Sequence, residues 1–258
     1  MLYGIPKYLE IFSVSNDIFE SIERNILDKD SFLHNEPYFL LKDEISEPIN
    51  YFSILEVIAS GEHKIGNIAA KLQKKVNDLT FFVKKLIDLE ILYKEVPVTE
   101  VNASKSKKGL YFIKDNFLRF WFRYVLPYKS QLEIGNTSYV IEKIKQNFAE
   151  YVSKTFEDLA IKYALKRFDL LRCGRWWDKS NEIDLVGIGE EYYLFGECKW
   201  QNKRVGLEVF EKLIEKSNLI KCDKDKRYIL FSKSGFTKEL EQFAQKREDL
   251  YLVMAEEL

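Results

Sequence analysis

Between Asn181 and Trp200 the chain alternates polar and apolar residues at its outer ends around a polar, glycine-rich middle, which is the pattern of a β-hairpin. Side chains two apart on a strand share a face, so Glu182 and Asp184 point one way. On the second strand Glu197 and Lys199 share a face while Cys198 points oppositely. A turn centred near Glu190 sets residues whose numbers sum to about 380 opposite one another, which places Asp184 opposite Glu197 within a residue or so. The two carboxylates could then share one cation.

That pairing has a chemical use. Magnesium or manganese takes oxygen ligands, commonly one or two carboxylates with waters and a substrate phosphate, and it can polarise the phosphate and activate a water. A lysine beside it orients the nucleophile or neutralises charge developing on the phosphate. Asp184 and Glu197 are therefore the expected metal ligands and Lys199 the expected catalytic lysine. The alternative is a hairpin face whose acids and lysine are merely solvated.

The surroundings predict a mixed sheet covered by helices. Before the hairpin, Val152, Phe156, Leu159, Ala160, Tyr163 and Ala164 keep a helical stripe with Glu157 on its edge. After it, Leu207, Phe210, Leu213 and Ile214 repeat that spacing, followed by a short apolar run from Tyr228 to Phe231. A helix over roughly Thr237 to Arg247 and a strand near Leu250 to Met254 close the order helix, hairpin, helix, strand, helix, strand. Arg172, Arg175, Trp176 and Trp177, on a strand entering the sheet, could line a substrate groove with arginines on phosphates, or could pack against the first helix.

With Asp184, Glu197 and Lys199 in its motif positions, the region from about residue 150 to 258 resembles the PD-(D/E)XK nuclease superfamily, with its restriction-endonuclease-like fold. Ile183 stands where the nominal motif has proline, and Glu157 matches the acidic residue that many members carry on the first helix. There it would hold a water or an ion beside the first, with Glu182 as an auxiliary acid. A wider likeness rests on Gly4-Ile5-Pro6-Lys7-Tyr8-Leu9-Glu10, on the run Tyr38 to Glu44, and on Lys107 to Phe122. These look like the C-terminal portion of the archaeal ATPase family, in which a P-loop ATPase of the AAA/STAND type precedes a winged helix and a nuclease-like domain. No G-x-x-x-x-G-K-[ST] phosphate loop is present, so no ATP site is expected in this chain. The resemblance implies a metal-dependent DNA nuclease, or else a non-catalytic module that binds DNA or a separate ATPase chain. It also admits a homodimer, since nucleases of this fold often pair to cut two strands.

Three divisions are expected: a helical segment over 1–48 resembling an ATPase lid, a winged helix with a connecting aromatic helical region over 49–148, and the nuclease-like domain over 149–258. In the first, Pro6 suits the opening turn of a helix. In the second, Ile65, Ile68, Ala69 and Leu72 mark one short helix, and Leu79, Phe82, Val83, Leu86 and Ile87 mark the next. Two short strands, Leu92 to Val96 and Leu110 to Ile113, flank a wing-like loop from Pro97 to Gly109. Lys84, Lys85 and Asp88 form the polar face of the second helix, which a recognition helix could turn to DNA. The aromatic run Phe117, Phe120, Trp121, Phe122 and Tyr124 reads as core or as a stacking platform for bases.

Charge supports nucleic acid only in the later part. Residues 1–100 hold 11 Lys and Arg against 17 Asp and Glu, whereas residues 101–258 hold 29 against 24. Lys203 and Arg204, just after the hairpin, join Arg172 and Arg175 as expected nucleic-acid contacts. Cys173, Cys198 and Cys222 form no C-x-x-C pair, and with only His34 and His63 a zinc centre lacks ligands. No long uncharged apolar run and no signal peptide are evident, so a soluble, cytoplasmic protein is expected.

Overall fold

The computed structural model describes residues 8, 10, 12, 17–45 and 48–258 of the chain. Pro6 lies outside the described residues. The chain forms two compact units, Met1–Glu95 with Gly109–Asn147, and Val96–Lys108 with Phe148–Leu258, so neither is continuous in sequence.

The first unit contains α1 (Ile18–Ile22), a π-helical turn (Glu23–Leu27), α2 (Phe32–Glu44), α3 (Pro48–Ala59), α4 (Ile65–Lys71) and α5 (Val76–Asp88). An antiparallel pair follows, β1 (Leu92–Glu95) with β2 (Leu110–Ile113), then α6 (Asn116–Tyr124) and α7 (Lys129–Glu133). The order α4, α5, β1, β2 is the one the helical and strand spacings predict. Asp115 caps α6 by accepting from the backbone N–H of Leu118 at 2.8 Å, satisfying a donor the first helical turn would leave open. The aromatic run on α6 is core: Phe117, Phe120, Trp121, Phe122 and Tyr124 are all buried, and the Trp121 indole donates to the His34 carbonyl at 2.6 Å. Buried rings offer no face to a nucleobase, so the stacking-platform alternative falls away. Lys84, Lys85 and Asp88 of α5 are exposed.

Helix α8 (Thr137–Arg167) begins in the first unit and ends in the second. The second unit holds β3 (Arg172–Trp177), β4 (Glu182–Ile188), β5 (Tyr192–Lys199), α9 (Leu207–Ser217), β6 (Asp225–Ser232), α10 (Lys238–Ala244) and β7 (Leu250–Met254). The strands form one five-stranded sheet in the order β3-β4-β5-β6-β7. β3, β4 and β5 are antiparallel, whereas β5, β6 and β7 run parallel through the α9 and α10 crossovers. This is the mixed, helix-flanked sheet expected from the order of elements, and the strand expected to enter it through Arg172 to Trp177 is β3, at its edge.

Alternation builds a core on each face. Phe195, Tyr228 and Leu230 pack with Phe210 and Leu213 of α9 and Leu240 of α10, while Leu194, Ile229 and Phe231 pack with Phe156, Ala160 and Ala164 of α8. The continuous apolar run from Tyr228 to Phe231 follows from burial on both faces, as parallel strands require. The hairpin between β4 and β5 closes with Gly189 N–H donating to the Tyr192 carbonyl at 3.0 Å. Residues Val96–Lys108, including most of the expected wing, belong to this second unit. Val98 N–H donates to the Arg175 carbonyl at 2.9 Å and its side chain packs on the α9 face, covering part of the edge strand β3. Among the described residues, no helix is long and apolar enough to cross a membrane.

Gly196 tests the tightness of the sheet immediately before Glu197. A Cβ there would lie 3.0 Å from both Ile229 Cγ2 and Leu185 Cβ, on the strands to either side. Gly196→Ala is expected to lower unfolding stability by about 1–3 kcal/mol through overpacking, read from urea midpoints at unchanged m-value.

Candidate active site

The sheet opens at the end where the predicted acids lie. β4 and β5 pair from Ile188↔Tyr193 to Leu185↔Gly196, whereas β5 stays paired with β6 as far as Lys199↔Ser232. On its other side β4 follows β3, with Gly174↔Val186 and then Trp176↔Ile183. Arg175 alone therefore spans Asp184 and Leu185, a β-bulge that gives β4 one extra residue. The cores record the same break: Ile183 and Val186 face α9 and α10, while Leu185 faces α8. Strict alternation, as read from the sequence, stops at Asp184. Its carboxylate turns into the fork and accepts the Cys198 backbone N–H on Oδ2 at 2.8 Å, replacing the ladder bond that β4 no longer supplies.

Acids and bases reach this fork from several elements. Glu157, on α8, packs against Arg175, whose Nε lies 3.4 Å from Glu157 Oε2 and whose Nη2 binds Glu182. Glu197 is buried on β5, with Lys199 Nζ 2.7 Å from Oε1. From the last turn of α9, Lys216 Nζ reaches the same carboxylate, 3.1 Å from Oε2 and 3.4 Å from Oε1.

These charges perturb one another. Burial, then the negative charge of Asp184, pushes the Glu157 carboxyl up to about 7, against the opposing pull of Arg175 and Lys154. Burial, then Glu197, raises Asp184 to about 6, although the Cys198 N–H and Lys199 favour its ionised form. For Lys199, burial works against the ammonium, but the adjoining Glu197 carboxylate outweighs it and holds the pKa above the usual lysine range. Burial followed by the charges of Asp184, Glu157 and Glu197 drives the Cys198 thiol far upward, so it stays a protonated, unreactive neighbour.

The donor chemistry fits a hard divalent ion. Glu157, Asp184 and Glu197 supply oxygens only, their repulsion is what a cation relieves, and Glu157 Oε2 is buried without a hydrogen bond. Among the described residues no group of three or more His, Cys, Asp and Glu is placed to hold a metal ion. Magnesium, which keeps several waters and needs only one or two carboxylates, does not require such a group.

The structure thus brings Asp184, Glu197, Lys199 and Glu157 to one end of the sheet and scatters the expected nucleic-acid contacts. Arg175 is buried, as are Trp176 and Trp177, so this arginine is a partner of acids and does not line an open groove. Arg172 is exposed at the opposite end of β3, in a depression of about 320 Å³ shared with Thr99, Trp176, Tyr193 and Lys221. Lys203 and Arg204 are exposed in the loop after β5, where Arg204 Nη1 donates to the Phe236 carbonyl at 3.2 Å. Lys216 was not among the sequence candidates. Its signal is faint: it sits three residues after the buried Leu213, on the border of the apolar stripe of α9.

Residues 121–209 match DUF234, a family of archaeal and bacterial proteins of unknown function. An uncharacterized protein of Methanocaldococcus jannaschii is 38% identical over 248 residues, covering 92% of this chain and 55% of that protein. The chain therefore spans about half the length of this relative. Protein VC1899 from Vibrio cholerae, a crystal structure, aligns at 13% identity over 83% of this chain and 54% of its own, with a TM-score of 0.29. Superposition that loose carries no argument about fold or activity.

Two expectations follow from the charges. Because the folded-state pKa values of Asp184 and Glu157 are raised, their protonated forms favour folding, and stability falls as pH climbs from the ordinary carboxylate range through about 6 and about 7. In a chelator, Asp184→Asn should raise the thermal midpoint near pH 8 by several degrees and change it little near pH 4, as scanning calorimetry would show. Arg175→Met should cost about 3–5 kcal/mol near pH 8 by leaving Glu157 buried without its cation, with Glu157→Gln restoring much of the loss in urea titrations of the double variant.

Proposed function

We propose that the second unit is a divalent-metal-dependent nuclease domain that hydrolyses phosphodiester bonds in DNA. The supporting observation is the gathering of Glu157, Asp184 and Glu197 with Lys199 at the bulged fork of a mixed sheet. Asp184 and Glu197 would hold magnesium or manganese. Bound there, the ion would supply Lewis-acid polarisation of a phosphate and a more acidic water. The other groups act through position and charge. Lys199, kept protonated by Glu197, places an ammonium where negative charge develops on the phosphate and orients the attacking water. Glu157, with a carboxyl pKa of about 7, can take or return a proton near neutral pH, or hold a second water. Arg175 fixes Glu157 and Glu182 and balances their charge. Exposed Lys203 and Arg204, in the loop after β5, supply phosphate contacts beside the fork, and the exposed Lys84 and Lys85 of α5 offer a further DNA contact.

A second reading is a non-catalytic module that binds DNA or a separate ATPase chain. It draws on the ion pairs by which Arg175 and Lys216 already compensate acids of the site.

Cleavage assays on single-stranded, duplex and branched DNA with manganese separate the two. Wild type should cut, and Asp184→Ala or Glu197→Ala should lower the rate on the order of a hundred-fold or more, with DNA affinity largely kept. Equal cleavage by wild type and Asp184→Ala would remove this cluster from the chemistry. Binding without cleavage in every metal tested would favour the second reading.

A further inference from the structure

Glu197 is held by more cation than a structural ion pair needs. Its side chain is 10% exposed and receives Lys199 on Oε1 at 2.7 Å, while Lys216 sits 3.1 Å from Oε2. A single ammonium neutralises a carboxylate. The second leaves Glu197 paired on both oxygens, and Glu197 is the very group that the proposed metal requires.

The two lysines are not equivalent. Lys199 extends from the same strand as Glu197, two residues on, and its ammonium also feels the charge of Asp184. Lys216 comes from another element, at the C-terminal turn of α9, where the helix dipole favours a cation. The ammonium contacts shown for Lys216 are both to Glu197, and 30% of its side chain remains exposed on a long, flexible stem. Arg175, by contrast, is 10% exposed and bound by Glu157 and Glu182, so it is not free to reach a substrate.

A divalent ion on Glu197 would compete directly with both ammoniums, for the oxygens and through like-charge repulsion. The two side chains are similarly exposed, but Lys216 sits farther from Glu197, at 3.1 Å against 2.7 Å for Lys199, and so has the weaker hold. We propose that Lys216 is a phosphate-binding residue of this site, which a divalent ion displaces from Glu197 onto an adjacent phosphate of the nucleic-acid strand. The inference rests on the metal-dependent reading of the fork. It adds an ordered coupling: metal uptake releases the ammonium that then holds the strand, so ion and DNA bind with positive cooperativity.

The test uses the full chain and two readouts that do not need cleavage. Titration calorimetry with manganese compares wild type, Lys216→Met, Lys216→Arg and Asp184→Ala. Lys216→Met should bind manganese tighter, on the order of ten-fold, because a competing positive charge is gone. Fluorescence anisotropy with a duplex oligonucleotide over a range of KCl is then run with calcium and with chelator. In calcium, Lys216→Met should lower the slope of log affinity against log salt by about one contact, and Lys216→Arg should keep it. In chelator, wild type and Lys216→Met should give the same slope. Unchanged or weaker manganese affinity in Lys216→Met overturns the proposal, as does an equal slope loss in calcium and in chelator. If wild type binds manganese and Asp184→Ala abolishes it, either of those failures belongs to Lys216 alone. Wild type that takes up no manganese, or does so equally with Asp184→Ala, instead overturns the metal reading and this inference with it. Lys216 lies on a partly exposed helix end, and matched thermal midpoints of the variants exclude misfolding as the cause.

Discussion

Burial of carboxylates, and after it their mutual repulsion, governs the end of the sheet where β4 and β5 part. Loss of water and then a neighbouring carboxylate raise the pKa of Glu157 and of Asp184 in spite of the partners each has. The fold answers with cations drawn from separate elements: Arg175 from the edge strand, Lys199 from the centre of the sheet and Lys216 from a crossover helix. The Arg175 and Lys216 contacts join different elements, so the full set of ion pairs exists only once the helices have packed on the sheet. Buried acids held near their titration range are a common property of catalytic centres, and they also occur in purely structural networks.

The bulge at Asp184 is what lets this arrangement coexist with a well-packed sheet. A regular β4 would commit Asp184 to one face, where it would have to share a core with aliphatic side chains. The extra residue instead gives Leu185 to the α8 core and returns Val186 to the α9 core. The Asp184 carboxylate is left beside the gap, bonded to a backbone N–H of the next strand. Strain of register at this point thus serves both packing and the gathering of charge.

Much of the fold could be read from residue spacing, because it rests on local periodicity. The stripe through Phe156, Ala160 and Ala164, the doubly buried run Tyr228 to Phe231 and the hairpin around Gly189 each carry their period in a few neighbouring residues. The hairpin register was close to legible as well: Leu185 pairs with Gly196, one step inside the expected pairing of Asp184 with Glu197. What could not be read depends on long-range partners. Arg175 looks like a surface arginine next to two tryptophans until Glu157 arrives from another helix. Lys216 is one of several lysines on its helix until the sheet places Glu197 beneath it. Nor does any residue in Pro97 to Gly109 announce that the loop packs with the second unit, which shows only in folded contacts such as the Val98 bond to β3.

That loop has a consequence for how the chain can be divided. Val96–Lys108 leaves its sequence neighbours in one unit and seals part of the β3 edge in the other, so the path of the backbone is interleaved and not laid out as beads on a string. An excised piece starting at Phe148 would bare hydrogen-bonding groups along β3 and uncover apolar surface under Val98, inviting edge-to-edge association. Evolution could not shuffle the second unit as a self-contained cassette without carrying the intervening segment along. Genetic separation of the two units is therefore constrained by the segment Val96–Lys108 as well as by helix α8, which runs from one into the other.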